Sequence, residues 1–233
     1  MFIPNTNNRL VYFAYPKCAS EFIRDGLKLQ CSNVYKIDSW DKCHDKYCHI
    51  RPSRFIGIHR LDRVDRRRPC HSQNLPITYT TVVRNPFDRM VSLYCYGTRH
   101  SMPFVLKGAS FHDFVKHIFD NRLNLQIIPM CWMVLPMCQY FGRDLLDKMT
   151  VFKMEEIGSS GCSGCSGCSG CAIDFFHEKC GVRMENKKVN STDHRHYSSY
   201  YTPELVAMVR EVYQWEIEKY GYEFEVVTAI DGC

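Results

Sequence analysis

Lys17, Ser20, Arg84 and Ser92 are the side chains best suited to hold anionic oxygens, and they fall at two strand-to-helix junctions. The first reads LVYFAY, PKCAS, EFIRDGLKL over residues 10–29, and the second ITYTTVV, RNPFDRMVSLY over 77–94. A helix N-terminus offers unpaired N–H groups and a partial positive charge, so a strand running into a helix is a ready anion site. Lys17 adds an ammonium and Ser20 a hydroxyl to the first junction. Arg84 adds the fork-shaped partner of phosphate oxygens to the second, and Ser92 lies two turns further on. Two such junctions with different polar residues suit one ligand with anionic groups at both ends. The alternatives are a solvated Lys17 on an ordinary turn and a local bridge from Arg84 to Asp88.

The elements around them are read from local signals. Residues 10–15 are apolar and aromatic, and Pro16 cannot donate to a ladder, so a strand should end there. From Ser20 the pattern turns helical, with Phe22, Ile23, Leu27 and Leu29 near one face. At the second junction Asn85 is a good N-cap, Pro86 suits the first helical position and Asp88 follows three residues after the cap. Arg84 is thereby expected at the carboxyl end of a strand, where open α/β sheets bind ligands. The first loop is not a Walker A loop, since GxxxxGK[ST] is absent. Strands are expected at 10–15, 55–59, 77–83 and 150–154, and helices at 20–30, 86–97, 110–120, 173–180 and 203–220. Their alternation predicts an α/β fold of three layers, a parallel sheet flanked by helices. Thr202 should cap the last helix, Gly221 should stop it, and Leu205, Val209, Val212, Tyr213, Ile217 and Tyr220 form its apolar stripe. Trp132 and its Met and Cys neighbours are expected to pack rather than bind.

PKCAS with its helix resembles the 5′-phosphosulfate loop of sulfotransferases. VVRNPFDRMVSLY is similar to their 3′-phosphate motif, in which an Arg and a Ser grip the 3′-phosphate of 3′-phosphoadenosine 5′-phosphosulfate (PAPS). SFHDFVKHI, MTVFKMEEI and HYSSYYTPELVAMVREVYQWEIEKYGYEF resemble later blocks of the carbohydrate sulfotransferase branch, in order, so the likeness covers most of the chain. It implies a P-loop NTPase-like fold and a nucleotide sulfate donor. Pro16, Lys17, Cys18, Ala19, Ser20 and Glu21 would hold the 5′ end, and Arg84 and Ser92 the 3′ end. Asn190, Ser191 and Arg195 would reach the adenosine or its 3′-phosphate from the loop before the last helix. Cys18 and Glu21 depart from the family pattern, which often has Gly or Thr after the Lys.

Sulfuryl transfer needs an aligned acceptor hydroxyl, stabilised charge on the leaving phosphate and one proton removed. Lys17 can serve the charge, and no metal is required. A general base is most often His. FIGI at 55–58 reads as a strand with His59 at its end, 25 residues before Arg84, compatible with the place where several sulfotransferases carry their base. A histidine merely hydrogen-bonded in a loop is the alternative, and His44, His49 and His71 are rivals. Seven Arg lie between residues 51 and 68, opposed only by Asp62 and Asp65. Such a cluster could hold a sulfated or uronic-acid glycan, or nucleic acid. Arg60 and Arg63, beside His59, are the candidates for substrate contact, and with a carbohydrate acceptor no nucleic-acid partner is expected. Arg66 to Arg68 read as a solvated basic loop.

At 233 residues, 45% hydrophobic and with net charge +5, the chain suits a single globular domain over 1–233 that binds anions. The tract GSSGCSGCSGCSGC, residues 158–171, has a strict three-residue period and reads as a surface loop. Its Cys162, Cys165, Cys168 and Cys171 approach a ferredoxin-like spacing without matching it. Cys43, His44, Cys48 and His49, with Cys70 and His71, fit no zinc-finger spacing. No apolar run of 18 residues and no signal peptide are apparent, which predicts a soluble, cytoplasmic protein, with a Golgi setting as the alternative that the resemblance implies. A kinase-like nucleotide enzyme and a non-catalytic metal- or nucleic-acid-binding protein are the competing functions. The acceptor and the oligomeric state are not legible.

Overall fold

The computed structural model of the chain describes residues 2–4, 9–19, 22, 23, 26, 77–157, 172–181 and 194–226. Their sheet has four strands in the order β1 (Phe2–Pro4), β2 (Arg9–Phe13), β3 (Ile77–Val83) and β4 (Met149–Lys153). β2, β3 and β4 run parallel, in registers that place Phe13 opposite Thr81 and Val83 opposite Lys153. The helices are α1 (Pro86–Arg99), α2 (Phe111–Asp120), α3 (Met137–Phe141), α4 (Arg143–Leu146), α5 (Ala172–Cys180), α6 (Pro203–Val212) and α7 (Gln214–Tyr220). The expected α/β class is therefore present, with the carboxyl ends of three parallel strands at one edge of the sheet.

β3 is central because its residues tolerate burial on both faces. Thr80 and Thr81 are buried with Val82 and Val83. Buried hydroxyls need partners. Thr81 donates to the Phe13 carbonyl at 2.8 Å on one side, and Thr80 to the Thr150 carbonyl at 3.0 Å on the other. Both polar side chains thus reinforce the ladder that they would otherwise weaken. β1 is antiparallel to β2 and was not expected from sequence. It is three residues long and ends in Pro4, the residue type that sheets tolerate at an edge.

The chain divides into two compact units, residues 1–83 with 140–190, and residues 84–139 with 191–233. In the first, α5 covers the sheet through aromatic contacts. Phe175 meets Phe152 at 5.0 Å between ring centroids, and Phe176 meets Tyr12 edge-on at 6.0 Å. In the second, α1, α2 and α6 pack around Phe87, Phe111, Phe114 and Leu205, all buried.

Boundaries hold to a residue or two for β3, β4, α1, α2 and α5. β2 ends at Phe13, so Ala14 and Tyr15 lie beyond the ladder that was expected to reach residue 15. The helix expected over 203–220 is two helices, broken at Tyr213, whose φ of −111° and ψ of 23° leave helical geometry. Tyr213 is buried there and its hydroxyl donates to the Val134 carbonyl at 2.7 Å, a tertiary bond that the stripe pattern does not encode. Thr202 caps α6 and Gly221 ends α7 in a left-handed conformation, as expected. Phe22, Ile23 and Gly26 are helical, within the expected helix at 20–30. The expected strand at 55–59 and the Cys-rich tract at 158–171 lie outside the described residues.

Candidate active site

The first junction is built on an unusual turn. The Cys18 amide donates to the Tyr15 carbonyl at 3.3 Å, closing a turn with Pro16 and Lys17 at its corners. Pro16 supplies the fixed φ that the second position of such a turn prefers. Lys17 has φ +63°, at the position where a type II turn favours Gly. Ala19 is also left-handed, at φ +52°. A left-handed L-residue costs roughly 1–2 kcal/mol, so this short loop stores strain twice. Cys18 between them keeps negative φ, is fully buried and directs its thiol to the Pro16 carbonyl at 3.5 Å. Alternation of φ sign along successive residues is the backbone pattern of anion-binding concavities. The Ala19 carbonyl then accepts from the Ile23 amide at 3.1 Å, as a helix starts. Ser20 and Glu21 lie outside the described residues.

The second junction is relaxed. Asn85 caps α1, its side-chain oxygen accepting from the Phe87 amide at 3.0 Å, and Pro86 occupies the first helical position. The Asn85 side-chain amide donates to the Glu223 carbonyl at 3.1 Å. Arg84 follows Val83, the last residue of β3, and pairs with Asp88. Its Nε and Nη2 reach the same carboxylate oxygen, at 2.8 and 2.7 Å. The local bridge weighed from sequence is therefore present, and it fixes the orientation of the guanidinium. Ser92 is on the same helix and buried.

α1 also carries a buried polar network that the sequence did not reveal. Arg89 is fully buried, and its Nη2 donates to the carbonyls of Met133 and Leu135 at 2.9 and 3.2 Å. Its guanidinium lies over the Tyr213 ring, 5.5 Å from the centroid. Glu216, equally buried, accepts from the Met137 amide at 2.6 Å. Together with Tyr213 on the Val134 carbonyl, three side chains hold the backbone of 133–137. Burial pushes the Tyr213 hydroxyl far above its ordinary range, against the lowering pull of Arg89, so it stays a neutral donor. The hint in the sequence is local and weak: Arg89 precedes Met90 and Val91, and Glu216 lies between Trp215 and Ile217. Cys131 and Met133 are buried, so packing is the observed role there.

Of the remaining expected site residues, Arg195 is exposed, just before the short 3-10 turn Tyr197–Tyr200. Asn190, Ser191, His59, Arg60 and Arg63 lie outside the described residues, as do the rivals His44, His49 and His71. Among the described residues no cluster of three or more His, Cys, Asp or Glu could hold a metal ion, and no helix is long and apolar enough to cross a membrane.

A family model described as the sulfotransferase family matches residues 1–223. No curated protein and no solved structure matches the chain. The match runs through both junctions and nearly the whole sequence, and the chain belongs to the sulfotransferase family.

Proposed function

We propose that the chain moves the sulfuryl group of PAPS to a hydroxyl, with a carbohydrate as the acceptor class. Family membership makes it a sulfotransferase; the donor, the acceptor and the residue roles are this reading's additions. The observation that carries it is the Lys17 turn. A lysine kept at a left-handed position where glycine would relieve strain argues for a selected ammonium, since observed strain points toward function.

In this reading Pro16 to Glu21 cradle the 5′-phosphosulfate and Arg84 and Ser92 hold the 3′-phosphate. Asn190, Ser191 and Arg195 complete the nucleotide contacts, and residues 1–233 make up a single sulfotransferase domain. The acceptor oxygen attacks sulfur as the bond from sulfur to the bridging phosphate oxygen breaks. Lys17 stabilises the charge that develops on that oxygen. The acceptor proton passes to His59, which Arg60 and Arg63 flank for acceptor contact. The leaving group is 3′-phosphoadenosine 5′-phosphate, and this scheme requires no metal.

The test is a sulfate-transfer assay with labelled PAPS across carbohydrate, tyrosyl and phenolic acceptors, run on the wild type and on His59→Ala. The reading expects transfer to a carbohydrate, and for His59→Ala a loss of turnover with nucleotide binding intact. Full turnover by His59→Ala removes that residue from the base role. Transfer to phenols alone removes the carbohydrate assignment.

A further inference from the structure

The start of α1 is clasped by the segment that follows α7. Gly221, left-handed at φ +63°, turns the chain after α7, and the Tyr222 amide returns to the Ile217 carbonyl at 2.9 Å. The next three residues make three separate attachments. The Glu223 carbonyl accepts from the Asn85 side chain at 3.1 Å. The Phe224 ring sits among Phe87, Tyr197 and Tyr201, with centroids 5.2, 5.6 and 5.3 Å away and near edge-on geometry. The Glu225 amide donates to the Tyr197 hydroxyl at 2.9 Å, and that hydroxyl also meets the Asn85 side chain. From the other side the Tyr201 hydroxyl donates to the Phe87 carbonyl at 2.9 Å.

The contacts of Glu223, Phe224, Tyr197 and Tyr201 converge on Asn85 and Phe87, the cap and second residue of α1. Arg84 is covalently next to the cap, so the backbone that aims its guanidinium is set by how firmly Asn85 is held. We propose that Phe224 is a positioning residue for Arg84: it pins the clasp that fixes the cap, and so fixes the guanidinium for a 3′-phosphate. This rests on the reading of Arg84 as the 3′-phosphate ligand. Phe224 lies one residue beyond the span that the family model matches. A ring caged by three aromatics holds position by shape and quadrupole contact, and its loss frees both flanking attachments at once.

The experiment is calorimetric titration of the full chain with 3′-phosphoadenosine 5′-phosphate and, separately, adenosine 5′-monophosphate. The ratio of the two affinities isolates the 3′-phosphate. Phe224→Ala is expected to lower that ratio about tenfold, which is about 1.4 kcal/mol, with adenosine 5′-monophosphate affinity unchanged. Phe224→Tyr should restore it. Tyr197→Phe deletes one oxygen and keeps the ring, so it tests the clasp if Phe224→Ala does not fold. It should lower the ratio about threefold, less than Phe224→Ala, because it removes the hydroxyl's bonds to Glu225 and Asn85 and leaves the ring cage intact. An unchanged ratio in a folded variant, or equal losses for both nucleotides, overturns the proposal. A wild type with no preference for the 3′-phosphorylated nucleotide overturns the Arg84 reading itself, and the proposal with it.

Discussion

The two strand-to-helix junctions are built with opposite local physics. At α1 every local preference agrees: Asn85 caps, Pro86 starts the helix, and Asp88 stands in the first turn and holds Arg84. After β2 the preferences conflict. Two non-glycine residues, Lys17 and Ala19, take left-handed conformations around a buried cysteine. The relaxed junction would be stable with or without a ligand. The strained one persists only because the surrounding structure over-determines it, and such sites are where function is found. A relaxed site suits binding shared by ground and transition states, whereas a strained, pre-set loop suits charge that develops during transfer.

The contrast is broken or sharpened most strongly at Lys17. Lys17→Ala keeps the backbone strain and removes the ammonium, and kcat is expected to fall by about 10²–10³-fold, the scale of one lost charge-stabilising group. Lys17→Gly should lose the same activity while its melting temperature holds or rises, because glycine accepts positive φ without the steric penalty, and that relief offsets its larger loss of backbone freedom. Retained kcat, or a lower melting temperature for the Gly than for the Ala variant, removes the strain argument. Arg84→Ala comes next, with nucleotide affinity expected to drop about 30-fold, within the range of a lost charged hydrogen-bonding pair, and kcat at saturation changing less. Arg84→Lys should recover only part, since an ammonium lacks the planar fork. A kcat effect larger than the affinity effect would erase the division of labour.

Smaller effects concern stability. Asn85→Ala should cost about 1 kcal/mol as a lost cap, a melting shift of about 2–4 °C for a chain of this size. A shift well above that would show that its bond to Glu223 matters more than the cap. Ser110 is the comparison cap, remote in sequence from either junction. It forms a capping box with Asp113, whose carboxyl is held below its ordinary value of 3.8 by the Ser110 hydroxyl and amide. The folded state therefore binds that proton less tightly than the unfolded one. The stabilisation is present above the ordinary carboxylate value and fades as pH falls through the lowered one. The small melting difference between wild type and Ser110→Ala, followed by calorimetry from pH 7 to pH 3, should shrink with acid; a difference that grows would contradict the sign.

The same contrast explains what was legible in the chain. Caps and turn residues act within four residues of themselves, so Asn85, Pro86 and Thr202 reported their elements directly, and β3 fell where its Thr and Val run placed it. The left-handed Lys17 could not be read, because no glycine marks it. No strong local signal marks Arg89 and Glu216 as buried, because tertiary partners up to 79 residues away decide their burial. The break at Tyr213 has the same cause, a hydroxyl that reaches Val134 across the fold of its unit. The Phe224 clasp depends on rings brought together from three separate segments, and no periodicity carries that information.

The most direct measurement pairs each junction with its own end of the ligand. Calorimetry would compare 3′-phosphoadenosine 5′-phosphate with the same nucleotide lacking either the 3′- or the 5′-phosphate, on wild type, Lys17→Ala and Arg84→Ala. Removing the 3′-phosphate should weaken wild type and Lys17→Ala strongly, but leave Arg84→Ala nearly unaffected. Removing the 5′-phosphate should spare Lys17→Ala in the same way. If each truncated nucleotide loses affinity equally for all three proteins, the two junctions do not hold opposite ends of one nucleotide.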